Sequence, residues 1–311
     1  MGVDLKSKFL GSMIGSALGD AIGELAFTYP EREHLYERID RLEKLVYTDD
    51  TAMMLGLAES LLEKKGVDQE HLGETFSRNF SREPWRGYAL GPPKIFSMVR
   101  QFGMSYLEAA KSLFGGTGSM GNGAAMRISP IGLLFHDSGR LYEIASASAE
   151  VTHAHWVGKD GAAVQAQAVA QAVKLDPEKE FSAEMFTQGL IAFARTPKIQ
   201  EKIRLVQIMI RKDASPELAG DRLGRSVAVD ESMPFAIYSF LRHPKSLEEC
   251  LFCSTLNGGD RDTLGAMACA ISGAYLGIEA IPHPWQYKLE NHALIESLAS
   301  SLGNMKERRK S

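Results

Sequence analysis

The stretch Gly258-Gly259-Asp260-Arg261-Asp262-Thr263-Leu264-Gly265-Ala266-Met267-Ala268-Cys269-Ala270-Ile271-Ser272-Gly273-Ala274-Tyr275-Leu276 joins an acidic turn to a run of small and apolar residues. From Leu264 onward the apolar positions follow the three- and four-residue steps of a helix, not the alternation of a strand. Ala266, Ala270 and Ala274 share one stripe, and Gly273 and Gly277 stand on an adjoining one. Gly11, Gly15 and Gly19 repeat the device near the N-terminus. Such stripes let helix backbones approach closely, so both helices are expected in the middle of a bundle. Helical spacing also runs through 52–62, 162–173, 235–241, 247–256 and 294–302, with Pro and Gly clustered between these runs and no hairpin turns flanked by alternating strands. The expectation is an all-α single domain of many helices over 1–302, followed by a basic tail over 303–311. Lys306-Glu307-Arg308-Arg309-Lys310 reads as a frayed end of that tail.

A chain of 311 residues that is 44% hydrophobic buries a substantial core without staples. Its formal net charge of -4 provides no basic field for nucleic acid. Cys250 and Cys253 form a C-x-x-C, but no second pair exists and the surrounding pattern is amphipathic, so core packing is the better reading. Lys6 and Lys8 before 9–18 loosely imitate a secretory signal, yet that stretch is glycine-rich and continues unbroken into Gly19-Asp20-Ala21-Ile22-Gly23. No apolar run approaches the roughly 20 residues of a membrane span. A cytoplasmic protein in a reducing compartment is expected.

Four segments carry chemistry. Tyr47-Thr48-Asp49-Asp50-Thr51 opens one helical run, and a single Asp or Thr would suffice to cap it. Asp260 and Asp262, two residues apart in an extended turn, point similarly, with the Thr263 hydroxyl beside them. Held apart, these residues are caps. Brought together, they form a cage of hard oxygen donors whose repulsion needs divalent cations, and Mg²⁺ or Ca²⁺ suits such donors better than zinc. The third segment, 114–127, places five glycines before an expected helix, where backbone N–H groups can turn toward a phosphate. It fits neither common phosphate-loop fingerprint, and a flexible loop is the plain alternative. In the fourth, His153 and His155 have no third ligand at zinc spacing, so a neutral imidazole donating to a ligand or capping a helix is expected.

Together these segments resemble the ADP-ribosylglycohydrolase family, the group of dinitrogenase reductase-activating glycohydrolase and its eukaryotic relatives. The resemblance runs from Gly11 to about Pro284. It takes in Gly19-Asp20-Ala21-Ile22-Gly23, Tyr47-Thr48-Asp49-Asp50-Thr51, Arg86-Gly87-Tyr88, Gly121-Asn122-Gly123-Ala124-Ala125-Met126-Arg127, Thr152-His153-Ala154, Glu231-Ser232-Met233-Pro234 and Gly259-Asp260-Arg261-Asp262-Thr263. The Gly-Asn-Gly-Ala-Ala-Met-Arg and Thr-His-Ala segments look closest to the ADP-ribosylhydrolase 3 branch.

The resemblance implies an orthogonal all-α bundle with a two-ion Mg²⁺ centre. By motif position, Thr48, Asp49, Asp50, Asp260, Asp262 and Thr263 would be its ligands. Gly118, Ser119, Gly121 and Asn122 would hold a diphosphate, His153 would approach the distal ribose or diphosphate, and Phe114 would stack near the adenosine. Met120 stands where the closest branch has Tyr. The family's glutamate beyond the Gly-Asp motif falls at Phe27 here, so Glu24 or Glu31 would have to replace it, with Glu24 preferred as a catalytic residue beside Asp49 and Asp50.

The implied activity is magnesium-dependent hydrolysis at C1 of the distal ribose in ADP-ribosylated proteins or ADP-ribose derivatives, by a monomer. Two other readings stand beside it: an impaired ADP-ribose-binding or structural relative, motivated by Phe27, and a metal-dependent phosphohydrolase cutting the diphosphate. The linkage cleaved stays open among serine, arginine, poly(ADP-ribose) and O-acetyl-ADP-ribose.

Overall fold

The N-terminal helix Leu5–Thr28 and the helix Arg261–Leu276 run antiparallel with their backbones in contact. A Cβ added at Gly11 would stand 2.5 Å from the Gly277 carbonyl carbon, and one at Gly15 would stand 2.8 Å from the Cys269 carbonyl oxygen. At Gly19 it would overlap the Gly265 carbonyl, and at Gly23 it would lie 2.5 Å from the Arg261 carbonyl oxygen. The steps on one helix are 11, 15, 19 and 23, and on the other 277, 273, 269, 265 and 261. The facing stripe is therefore Gly265–Cys269–Gly273–Gly277, not the alanine stripe, which packs into the core alongside it. The closest approach goes to residues that lack a Cβ, because any methyl there would enter a main-chain carbonyl. Ser12 adds a cross-link, its Oγ donating to the Ala270 carbonyl at 2.8 Å.

The structure, a computed structural model, describes residues 2–308. Within them it has eighteen α-helices, one 3₁₀ turn and no strands, only two isolated bridges. Every helical run read from periodicity lies in a helix, save that Leu256 of 247–256 is the C-cap, and the helix is usually longer at its N-terminal end: Asp49–Lys64, Trp156–Lys174, Val229–Arg242, Leu247–Thr255, Arg261–Leu276 and His292–Arg308. Periodicity misses first turns because capping residues are polar. The helices form one domain around one continuous core, and none is long and apolar enough to cross a membrane. Cys250, Cys253 and Cys269 are free and buried in that core.

The C-terminal expectation needs correcting. Helix His292–Arg308 continues through most of the stretch read as a tail, with Gly303 and Lys306 buried and the Lys306 ammonium paired with Asp137. Arg309, Lys310 and Ser311 lie outside the described residues.

Candidate active site

Because the central helix pair is antiparallel, the end of Leu5–Thr28 meets the start of Arg261–Leu276. Gly23 lies against Arg261 and Asp262, and Asp20, one turn earlier, is fully buried. The Asp20 carboxylate accepts four donors from one turn. These are the Thr48 N–H at 3.0 Å and hydroxyl at 2.8 Å, and the Thr51 N–H at 3.0 Å and hydroxyl at 2.6 Å. It thereby holds the first turn of helix Asp49–Lys64 against the helix pair. Arg86 steadies the preceding residue, donating to the Tyr47 carbonyl at 3.0 Å while paired with Glu83 and Glu290. The two acidic turns, some two hundred residues apart in sequence, converge.

Neither turn uses a carboxylate as its N-cap, though in the first turn of Arg261–Leu276 the Thr263 N–H donates to Asp262 Oδ1 at 2.9 Å. Thr48 caps helix Asp49–Lys64, and the Asp260 side chain makes no cap bond at Arg261–Leu276. Asp49, Asp50, Asp260, Asp262 and Thr263 instead line one cavity of about 860 Å³. Burial first, then Asp20 and Asp260, raises the Asp49 carboxyl to about 7. Burial, then Asp260 and Asp20, raises Asp262 to about 8. Asp50 is held well above the usual carboxylate range by burial and next by Asp262, and its Oδ1 is buried with no hydrogen-bond partner. A low-dielectric cluster of like charges with an orphaned acceptor is costly unless positive charge is brought to it. The donors are all carboxylate and hydroxyl oxygens, which suits a hard divalent cation. Among the described residues no group of three or more His, Cys, Asp or Glu side chains stands in metal-ligand geometry, so the fit is one of donor type and charge.

The glycine loop lines the same cavity. Phe114 (φ 52°), Gly115 (φ 69°), Gly116 (φ 90°) and Gly118 (φ 74°) take left-handed backbone conformations and turn the chain back on itself. Gly118 abuts His155 and Ala154 so closely that a Cβ would stand 2.7 Å from the His155 nitrogen. Main-chain bonds Asn122 N–H to Val227 O (2.9 Å) and Val229 N–H to Met120 O (3.1 Å) clamp the other side. The helix expected after the loop is only the turn Gly123–Met126. The long helix whose start packs on the loop is Trp156–Lys174, capped by the His155 side chain. Gly118, Ser119, Gly121, Asn122 and His153 all line the large cavity, and Phe114 stands 69% exposed at its rim. Asn122 ties the loop to the carboxylates, its Nδ2 donating to Asp260 at 2.6 Å and lying 3.1 Å from Ser232 Oγ. His153 is buried, and burial, then the Arg127 charge, lowers its pKa to about 3, which keeps the imidazole neutral.

A second cavity of about 400 Å³ adjoins the first and shares Asp49, Gly87 and Asp262 with it. Glu24 lines it, and its charge contributes to the raised pKa of Asp262. Phe27 is 51% exposed, and neither it nor Glu31 lines either cavity. Three residues that matter here carried no functional assignment from sequence: Asp20, Arg127 and Thr152. An aspartate inside a glycine-and-alanine helix is the signal that could have found Asp20, since a buried carboxylate demands partners.

The sequence profile of the ADP-ribosylglycohydrolase family matches residues 1–311. The chain is 33% identical over 293 residues to human ADP-ribosylhydrolase ARH3, covering 85% of this chain and 80% of that protein. It is 32% identical over 343 residues to the Xenopus tropicalis ADP-ribosylhydrolase ARH3, covering 97% of each. An ADP-ribosylglycohydrolase-related protein complex contains a chain of the same fold, with a TM-score of 0.69 at 23% identity, covering 97% of this chain and 99% of that one. With its profile matched from end to end and its acidic turns, glycine loop and buried histidine gathered at one cavity, the chain belongs to the ADP-ribosylglycohydrolase family.

Proposed function

We propose that this protein hydrolyses the glycosidic bond at C1 of the distal ribose in ADP-ribosylated proteins or ADP-ribose derivatives and releases ADP-ribose. The observation that carries this reading is the meeting of two cavities at Asp49 and Asp262. A substrate whose scissile bond lies over those carboxylates extends its nucleotide part along the glycine loop and its leaving group toward Glu24. The volumes agree with this division, since about 860 Å³ suits a dinucleotide-sized ligand and about 400 Å³ a side chain or sugar.

Thr48, Asp49, Asp50, Asp260, Asp262 and Thr263 would hold two Mg²⁺ ions. When bound, these supply the positive charge the cluster needs and lower the pKa of water in the site. The chain's own groups do the rest. Asp20 fixes the Thr48–Thr51 turn, and the Asn122–Asp260 bond fixes the glycine loop against the carboxylate wall. His153 and the loop's main-chain N–H groups bind and orient the nucleotide. Glu24, placed on the leaving-group side, takes the proton of the attacking water as the C1 bond to the leaving group breaks through an oxocarbenium-like state, and returns that proton to the departing oxygen or nitrogen. Glu24 also answers the departure at Phe27, because it shares a cavity with Asp49 and Asp262 and Glu31 does not.

Product identification on a panel of serine-linked, arginine-linked, poly- and O-acetyl-ADP-ribose substrates, with and without Mg²⁺, tests the proposal. Intact ADP-ribose released only with Mg²⁺ supports it. Binding of ADP-ribose without release selects the impaired relative, and AMP as product selects diphosphate cleavage. Asp262→Ala should abolish turnover with the far-UV dichroism of the wild type. The protein would act as a cytoplasmic monomer, consistent with three free buried thiols.

A further inference from the structure

Behind the glycine loop a short chain of hydrogen bonds runs from Arg127 to His153. Arg127 is fully buried and has no carboxylate bonded to it; its Nη1 donates to the Gly123 carbonyl at 3.0 Å and its Nη2 to Thr152 Oγ1 at 2.8 Å. Thr152 Oγ1 lies 2.8 Å from His153 Nδ1. A guanidinium only donates, so the Thr152 oxygen accepts from Arg127 and must place its own proton elsewhere. Thr152 is 1% exposed, and His153 Nδ1 is the only acceptor its hydroxyl reaches among the described residues. If Nδ1 carried the proton instead, that buried hydroxyl hydrogen would be left unpaired, at a cost of about 1–3 kcal/mol. Nδ1 is therefore an acceptor and the imidazole hydrogen sits on Nε2. That nitrogen faces the Gly121-Asn122-Gly123 turn, where a Cβ at Gly123 would stand 3.1 Å from it and one at Gly121 would stand 3.5 Å from it.

We infer that Arg127 and Thr152 are positioning residues which set His153 to the tautomer protonated on Nε2, making it a fixed neutral donor to a phosphate or ribose oxygen seated on the glycine loop. The assignment deepens the proposed function and rests on that reading for the ligand, but not for the tautomer. A buried neutral histidine without such a relay is free to present a lone pair, which would repel an anionic oxygen. The relay removes that choice.

The test uses the full chain labelled with ¹⁵N-histidine. Two-bond ¹⁵N–¹H spectra at pH 7, with His153 assigned by loss of its signals in His153→Gln, should show Nε2 protonated and Nδ1 bare. Thr152→Val, isosteric and unable to donate, should lose that preference and weaken ADP-ribose binding in calorimetry by about tenfold to a hundredfold. Thr152→Ser should restore both. A wild-type His153 protonated on Nδ1, or a Thr152→Val variant with wild-type tautomer and affinity, overturns the inference. Failure of wild-type protein to bind ADP-ribose would instead sink the proposed function, while the spectra still decide the tautomer.

The smaller cavity carries a second, independent inference. Arg38 and Lys44 line it together with Glu24, neither forms an ion pair among the described residues, and Arg38, whose guanidinium lies 5.7 Å from the Tyr29 ring centroid, has its Nε buried without a hydrogen-bond partner. Trp85, 71% exposed, lines the same cavity. The geometry points to a leaving-group subsite for polypeptide carrying Asp or Glu beside the modified residue, because an unpaired guanidinium selects a carboxylate and rejects a cation. This too rests on the hydrolase reading. Matched ADP-ribosylated peptides with Glu or Lys flanks should differ in kcat/KM by about tenfold in favour of Glu. The Arg38→Ala, Lys44→Ala double variant should level them without changing the affinity for free ADP-ribose. Equal rates on the two peptides, a preference for Lys, or a preference for a nucleotide leaving group over both would overturn it, whereas no release from any substrate would strike the hydrolase reading itself.

Discussion

At the scale of single residues the site is a set of carboxylates crowded past what burial tolerates. Removing one charge should relieve that crowding. Without divalent ions, Asp262→Asn is expected to be more stable than wild type by about 1–2 kcal/mol. Added Mg²⁺ should raise the melting temperature of the wild type far more than that of the variant, because ligand stabilisation scales with binding to the folded state. Thermal melts with and without Mg²⁺ check both halves, and a variant less stable than wild type in the absence of the ion would contradict the first. His153 sets a pH dependence of its own. Its folded pKa of about 3 lies below the ordinary value near 6.5, so between those pH values the unfolded chain binds a proton that the native state refuses. Stability is therefore complete above pH 6.5 and falls as pH drops toward 3. His153→Gln should flatten this limb by roughly 2–4 kcal/mol at pH 4 relative to pH 7, measured by denaturant titration at each pH.

At the scale of elements, the antiparallel contact of Leu5–Thr28 with Arg261–Leu276 decides the geometry. Gly19→Ala would drive a methyl into the Gly265 carbonyl and should cost about 2–4 kcal/mol, since main chain cannot rotate away as a side chain can. Gly66→Ala, with nothing within 4 Å of the added atom, is the control and should stay within about 0.5 kcal/mol. Equal effects of the two would show that the contact is not tight. This is also where sequence reading worked and where it stopped. Helices were legible because periodicity is local, and the glycines of 11–19 announced a close approach. The face used on the partner helix was not, because alanine and glycine stripes look alike until a carbonyl is placed opposite them. The acidic turns showed themselves by having more carboxylates than caps need. Asp20, Arg127 and Thr152 stayed silent, since each works through a partner distant in sequence: Asp20 through Thr48 and Thr51, and Arg127 and Thr152 through their bond to one another.

At the scale of the whole molecule, first and last helices close on one another. Helix His292–Arg308 packs on Leu5–Thr28, and the buried Lys306 ammonium pairs with Asp137 near its far end. Asp137 is about half exposed, so solvent screens the pair and its contribution is modest. Deleting residues 303–311 should nevertheless lower stability by about 1–3 kcal/mol, counting the lost last turns with the pair. A melting temperature equal to that of the full chain would restore the tail reading.

The glycine ladder has one more consequence. The span from Asp20 to the Asp260–Asp262 turn is gauged by main chain resting on main chain, and the Asp20 carboxylate carries it on to the Thr48–Thr51 turn. Substitutions on the outer helices can reshape the entrance and alter which leaving groups are admitted, yet they have no purchase on that gauge. Selectivity in this protein is thus free to drift while the metric of its reaction centre stays put.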